Sequence, residues 1–124
     1  MSKILVVEDE PMVAELITLE VEDRNHEAHL AVNGKEAIEL AKSMQPDAIV
    51  MDRTMPVMDG VEATRRLRQD PATRGIPIVI LTAAVMPQDR EHAIASGCDD
   101  LEEKPVDFDR LFQKLDDLIR RRRI

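Results

Sequence analysis

The chain has 124 residues and a mass of 14.0 kDa, is 44% hydrophobic and 34% charged, and carries a formal charge of -8. That length fits one domain, which buries about two-thirds of the surface its unfolded chain exposes, enough for a core of its own. The acidic balance excludes a nucleic-acid-coating protein, Phe108 and Phe112 as the whole aromatic content exclude a base-stacking platform, and the single Cys98 excludes an intramolecular disulfide framework.

The first apolar run, Ile4 to Val7, has strand length and is too short for a signal peptide, with Glu8-Asp9-Glu10 directly behind it. A helix follows, with Pro11 in its first turn and Val13, Leu16, Ile17 and Val21 on one face. His29 to Val32 reads as the second strand, and Asn33 or Gly34 opens a helix carrying Ala37, Ile38, Ala41 and Met44 inward. Ala48 to Met51 is the third strand. Asp59-Gly60 then starts a helix with Val61, Thr64 and Leu67 inward and its arginines outward. Ile76 to Leu81 is the fourth strand, and Pro87 begins a helix that Gly97 ends. Asp100 to Glu103 reads as a fifth strand, although Leu101 is its one apolar residue. Phe108, Leu111, Phe112, Leu115, Leu118 and Ile119 form the stripe of a last helix, with Asp107 placed to cap it.

Strands alternating with helices in this way give an α/β domain whose parallel sheet is covered on both faces. The expected domain is 1–119, followed by a basic tail at 120–124. No run reaches the roughly 20 apolar residues that span a bilayer, and the expected location is the cytoplasm. The arginines Arg120 to Arg123 have three readings: cations opposing the helix dipole, the start of a linker, or a contact with an anionic partner.

In an open parallel sheet the ligand site lies beyond the carboxyl ends of the strands. The residues there are Glu8-Asp9-Glu10, Asp52, Thr82 and Lys104-Pro105, whereas Asn33-Gly34 reads only as a turn. Converging carboxylates repel one another unless they protonate or recruit a cation, and an all-oxygen set with room for water suits Mg²⁺. A carboxylate is also a nucleophile able to form an acyl phosphate. A metal, an ammonium and a hydroxyl around one phosphoryl group would stabilise its transfer electrostatically.

The order Glu8-Asp9, Asp52-Arg53-Thr54-Met55-Pro56, Met58-Asp59-Gly60, Leu81-Thr82-Ala83 and Lys104-Pro105 resembles the receiver domain of two-component response regulators, from Lys3 to about Ile119. The resemblance implies a doubly wound five-stranded sheet of order 2-1-3-4-5 with five helices, a flavodoxin-like three-layer sandwich. It implies that Asp52 accepts the phosphoryl group, and that Glu8, Asp9, Asp52 and the backbone carbonyl of Thr54 hold Mg²⁺. Thr82, Ala83 and Lys104 then bind the phosphoryl group, Thr54 and Ala84 tune its lifetime, and Lys104-Pro105 is the place for a cis peptide. The implied donor is a phosphohistidine of a sensor histidine kinase or a histidine phosphotransfer protein, docking around Pro11, Met12, Glu15 and Leu16. Output would run through the fourth and fifth helices and the last strand to a protein target, without direct nucleic-acid or membrane binding.

Three positions depart from the family pattern. Glu8 stands where many members have Asp, Leu101 where many have a rotating Tyr or Phe, and Glu102 where the strand is commonly apolar. The last strand is therefore expected to be short or distorted. Other residues read blandly: Cys98 as small packing, His26, His29 and His92 without ligand spacing, and Met12, Met44, Met51 and Met86 as core or rim. Competing functions are an aspartyl-nucleophile phosphatase and a receiver-like scaffold that is not phosphorylated. Thr54 stands where the phosphatase class has a second Asp. A flavin or nucleotide binder is disfavoured because the acids after Val7 would repel phosphate.

Overall fold

The computed structural model describes residues 1–83 and 86–122. Five strands and five helices alternate: β1 Lys3–Val7, α1 Pro11–Asp23, β2 Glu27–Ala31, α2 Gly34–Met44, β3 Ala48–Asp52, α3 Gly60–Gln69, β4 Ile78–Thr82, α4 Pro87–Ala95, β5 Asp100–Glu103 and α5 Phe108–Arg122. All pairs are parallel and the order is β2-β1-β3-β4-β5, as the resemblance implies.

Strand alternation divides the core. Leu5, Val7, Ile49, Met51, Ile78 and Ile80 pack with Ala37, Ala41, Val61 and Leu67 of α2 and α3. Ile4, Val6, Val50, Val79 and Leu81 face the other way, onto Ile17 and Val21 of α1 and Leu111, Phe112 and Leu115 of α5. Buried side chains on both faces of β3 and β4 explain why those runs read as unbroken apolar strings.

Caps follow the sequence. The side chains of Asn33, Asp59 and Asp107 accept from the amides of Glu36, Glu62 and Arg110 at 2.8, 2.8 and 3.1 Å. Gly97 takes φ +106 behind α4, a conformation that a side chain strains.

Several expectations need correction. β2 begins and ends earlier than His29 to Val32, because its register is set by pairing Lys3 with Glu27 through Val7 with Ala31. β4 begins at Ile78, since Pro77 has no amide to donate and Ile76 is buried ahead of the ladder. β5 is short but undistorted: all four residues pair with β4 in register. Met12 and Met86 are exposed, at 79% and 54%, while Met51 is buried and Met44 packs against the core. Helix α5 runs through Arg122, so Arg120 to Arg122 lie in its last turn. Ala84 and Arg123 lie outside the described residues.

Candidate functional site

Strands β1 and β3 are hydrogen-bonded neighbours with Val7 opposite Met51. The residues that follow, Glu8-Asp9 and Asp52, therefore arrive together at one edge of the sheet. One carboxylate oxygen from each of Glu8, Asp9 and Asp52 lies within 4.8 Å of the others. Glu8 and Asp52 are 2% and 5% exposed, and Asp9 is exposed. From β5, the Lys104 ammonium reaches Asp52 Oδ1 at 2.9 Å, and its own amide donates to the Thr82 carbonyl at 2.9 Å.

The loop after Asp52 is tightly built. The Met58 amide donates to the Pro56 carbonyl at 2.7 Å across Val57, which holds φ 69, the rarer and strained form of γ-turn. The Gly60 amide donates to the Arg53 carbonyl at 2.9 Å, and a Cβ on Gly60 would stand 2.3 Å from the Asp52 carbonyl oxygen. Glycine is required there because α3 starts against the backbone of Asp52 itself. The Gly34 amide also donates to the Met58 carbonyl, fastening the loop to α2. Thus Met58-Asp59-Gly60 and Gly34 act on the site through backbone geometry.

The electrostatics are unbalanced. Burial pushes the Glu8 carboxyl up to about 7, and the Asp52 carboxylate adds to the rise, against the Glu10 amide and the Lys104 ammonium. Glu8 Oε2 accepts from the Glu10 amide at 3.1 Å, but Oε1 is buried with no hydrogen-bond partner among the described residues. An orphaned buried carboxylate oxygen aligned with two more carboxylates is short of a positive charge that one lysine does not supply. The donor set is all oxygen and one member is open to solvent, which suits a hard cation that keeps water in its shell.

Sequence-predicted residues fall as follows. Glu8, Asp9, Asp52 and Lys104 converge. Thr82 is buried at the end of β4, one residue past Leu81, which pairs with Asp52; Ala83 next to it is exposed. The Thr54 amide lies 3.5 Å from Asp52 Oδ1, at the limit of a hydrogen bond, and its side chain is outside the core. Lys104-Pro105 is cis. Leu101 is not at this edge: it pairs with Ile80 and is buried in the cluster that includes Ala93 of α4. Sequence reasoning missed Arg53 and Asp89, whose side chains meet at 3.4 Å beside the site. A lone arginine directly after a strand-end acid, on an otherwise acidic edge, was the available signal.

A doubly wound sheet with an acid cluster, a lysine and a buried threonine at its carboxyl edge defines a class of phosphoryl-accepting signalling modules. Residues 4–116 match the family model described as the response regulator receiver domain. The chain belongs to that family, the phospho-accepting domains of two-component systems. It is 34% identical to protein PilH of Pseudomonas aeruginosa, over 93% of this chain and 95% of that protein. It is 35% identical to the DNA-binding dual master transcriptional regulator RpaA of Synechocystis, over 98% of this chain but only 50% of that protein. The chain thus spans about half the length of that relative. The structure of the receiver domain of sensor histidine kinase PA1611 from Pseudomonas aeruginosa superposes with a TM-score of 0.89 at 34% identity, covering 95% of this chain and 97% of that one. That protein has a magnesium ion coordinated in its active-site cleft. Neither the phosphatase nor the unphosphorylated scaffold is favoured. Among the described residues no helix is long and apolar enough to cross a membrane.

Proposed function

We propose that Asp52 takes a phosphoryl group from a phosphohistidine of a sensor kinase or histidine phosphotransfer protein, in the cytoplasm, and that the modified chain signals by altered protein contacts. The observation that supports this is the convergence of buried Asp52 with Lys104 at 2.9 Å and with the carboxylates of Glu8 and Asp9. A carboxylate oxygen of Asp52 forms the bond to phosphorus, and the nitrogen–phosphorus bond of the phosphohistidine breaks, its electron pair staying on the imidazole. Lys104 holds the Asp52 carboxylate in place before transfer and faces the added negative charge after it. Thr82 and Ala83 stand at the edge where the phosphoryl oxygens arrive, and the Thr82 hydroxyl is the group that binds one of them.

Glu8, Asp9, Asp52 and the Thr54 carbonyl are the groups to hold Mg²⁺. The ion, when bound, neutralises charge on the phosphoryl oxygens as they are transferred. Glu8 Oε1 would then have the counter-charge that the surrounding residues do not supply. Thr54, two residues past Asp52, is placed to influence how long the acyl phosphate survives; Ala84 shares that role in the family but lies outside the described residues.

Docking of the donor fits the face of α1. Met12 is 79% exposed there, and Leu16 and Leu19 are half-exposed one and two turns on. Beside them an apolar groove of about 300 Å³ runs between Val13, Leu16, Pro105, Val106 and Phe108, reaching Lys104 of the site. An α-helix from a donor protein seated there would bring its histidine to Asp52. The output partner and any domain beyond Arg122 are set by the whole protein.

The test is incubation with acetyl phosphate and Mg²⁺, followed by intact mass. Wild type should gain one phosphoryl group that hydroxylamine removes, and Asp52→Asn should gain none. A wild-type chain that takes no adduct at any Mg²⁺ concentration would overturn the proposal.

A further inference from the structure

The Arg53 backbone is fixed on both sides: its amide donates to the Leu81 carbonyl at 2.9 Å and its carbonyl accepts from the Gly60 amide at 2.9 Å. From that anchor the side chain crosses to the first turn of α4, where Nη2 lies 3.4 Å from Asp89 Oδ1. Arg53 is thus bonded to Leu81 near the end of β4 through its backbone and to the start of α4 through its guanidinium. It touches both sides of the connection that carries Thr82 and Ala83.

Helix α4 depends on such a link more than the other helices do. Among its described residues only Ala93 is buried, so it has almost no apolar face with which to hold its position. Among the described residues two ion pairs tie it to the sheet, Arg53–Asp89 and Arg90–Glu103, and the first is the less exposed. The Arg53–Asp89 pair is also loosely satisfied. At 3.4 Å it is long for a charge-assisted hydrogen bond, and Arg53 Nε is buried with no partner among the described residues. A buried donor left without an acceptor favours any rearrangement that supplies one.

Phosphorylation supplies acceptors one residue away. A phosphoryl group on Asp52 adds nearly two negative charges and three acceptor oxygens one residue along the chain from Arg53, whose present bond to Asp89 is long. Differential interaction of this kind is what shifts a two-state element. From this we propose that the Arg53–Asp89 pair is a strap holding the first turn of α4 against the phospho-acceptor strand. The phosphoryl group on Asp52 draws Arg53 away from Asp89 and releases that turn. Arg53 is a positioning residue that acts through α4, and this assignment rests on the reading of Asp52 as the phosphorylated residue.

Amide hydrogen exchange of the full chain tests it. The amides of Asp89 and Arg90, both bonded to the Met86 carbonyl, report on the first turn of α4. Without phosphodonor, Arg53→Gln should raise their exchange about two- to fivefold, the range expected for a partly exposed ion pair. Asp89→Asn should do the same, and the double variant should exceed neither single. In wild type, acetyl phosphate with Mg²⁺ should raise exchange of the same amides by a similar factor, and in Arg53→Gln it should add nothing. Unchanged exchange in Arg53→Gln overturns the strap, and an undiminished response of that variant to acetyl phosphate overturns the release. Intact mass on the same samples separates the two readings. An Asp52 adduct with either of those results defeats the strap alone. A wild type without an adduct defeats the proposed function, while the phosphodonor-free comparison still decides the strap.

Discussion

Of the three acids buried among the described residues, Glu8 and Glu102 have opposite surroundings. Glu8, 2% exposed, faces Asp52 and Asp9, has an oxygen with no partner among the described residues, and is pushed up to about 7. Glu102, 1% exposed, lies on β5 against α5, where Arg110 donates to both of its oxygens at 2.6 to 3.1 Å and Lys114 stands 3.0 Å from Oε1. Burial alone would raise Glu102, but hydrogen bonds from Arg110 and Lys114 outweigh it, and its carboxyl sits below the ordinary carboxylate range. Lys114 also donates to the Leu101 carbonyl at 2.6 Å, so the cluster closes on the backbone of β5. The protein completes the charge balance at Glu102 and withholds it at Glu8. A buried acid that the fold satisfies is structural, and one left short of positive charge is available to a cation and a phosphoryl group.

The largest effect separating the two should come from Glu8→Gln. With its folded carboxyl near 7 and its unfolded one near 4.5, Glu8 is more protonated in the native state between those values. Its contribution to stability therefore falls as pH rises from 4.5 and is lowest above 7. In metal-free buffer Glu8→Gln should be more stable than wild type by roughly 3 kcal/mol at pH 8 and about equal to it at pH 4, by urea unfolding. Adding Mg²⁺ should narrow the gap, since it stabilises wild type more. A destabilised Glu8→Gln at pH 8 would show that the site is already balanced by the protein.

A smaller effect of opposite sign should follow Lys114→Met. It removes a donor from the Glu102 carboxylate and from the Leu101 carbonyl, at a cost of about 2 kcal/mol in urea midpoint experiments at pH 7. Because the Glu102 carboxyl is lowered in the folded state, its stabilisation is present above pH 4.5 and is lost as pH falls through the folded value. The Lys114→Met deficit should shrink on that acid limb. A deficit independent of pH would mean that Lys114 acts through packing of its stem alone.

The smallest stability change belongs to the exposed face of α1. Met12→Ser and Leu16→Ser should each stay within about 0.5 kcal/mol of wild type, as exposed positions do. Phosphotransfer from a histidine phosphodonor protein should slow, while acetyl phosphate labels Asp52 at the wild-type rate. Equal slowing with both donors would place these residues in the chemistry and remove the docking role.

Much of this was legible in the sequence because the interactions concerned are local. Asn33, Asp59 and Asp107 cap helices within three residues of themselves, and β1, β3 and β4 show as apolar runs because both sheet faces are covered there. The site acids were legible because a parallel sheet sends the residues after its strands to one edge. Strand limits at β2 and β4 were less so, since the first depends on pairing with β1 and the second on Pro77 lacking an amide. Glu102 looked like a defect in β5 because its compensation comes from residues 8 and 12 positions further on, on the helix that packs over it. Met12 looked like packing because hydrophobicity does not say which way a helix turns.

The sequence by itself determined the element order, the helix starts and the set of acids, hydroxyl and lysine that a strand-edge site would use. Their physical basis lies in backbone geometry and short-range hydrogen bonding, which a few neighbouring residues specify. Only the tertiary structure decided which of those charges are balanced. Lys104 meets Asp52 across 52 residues, Arg53 meets Asp89 across 36, and Glu102 meets its two cations on a different layer. Charge balance in a buried site is a sum over everything that packs against it, and only the folded chain brings those groups together.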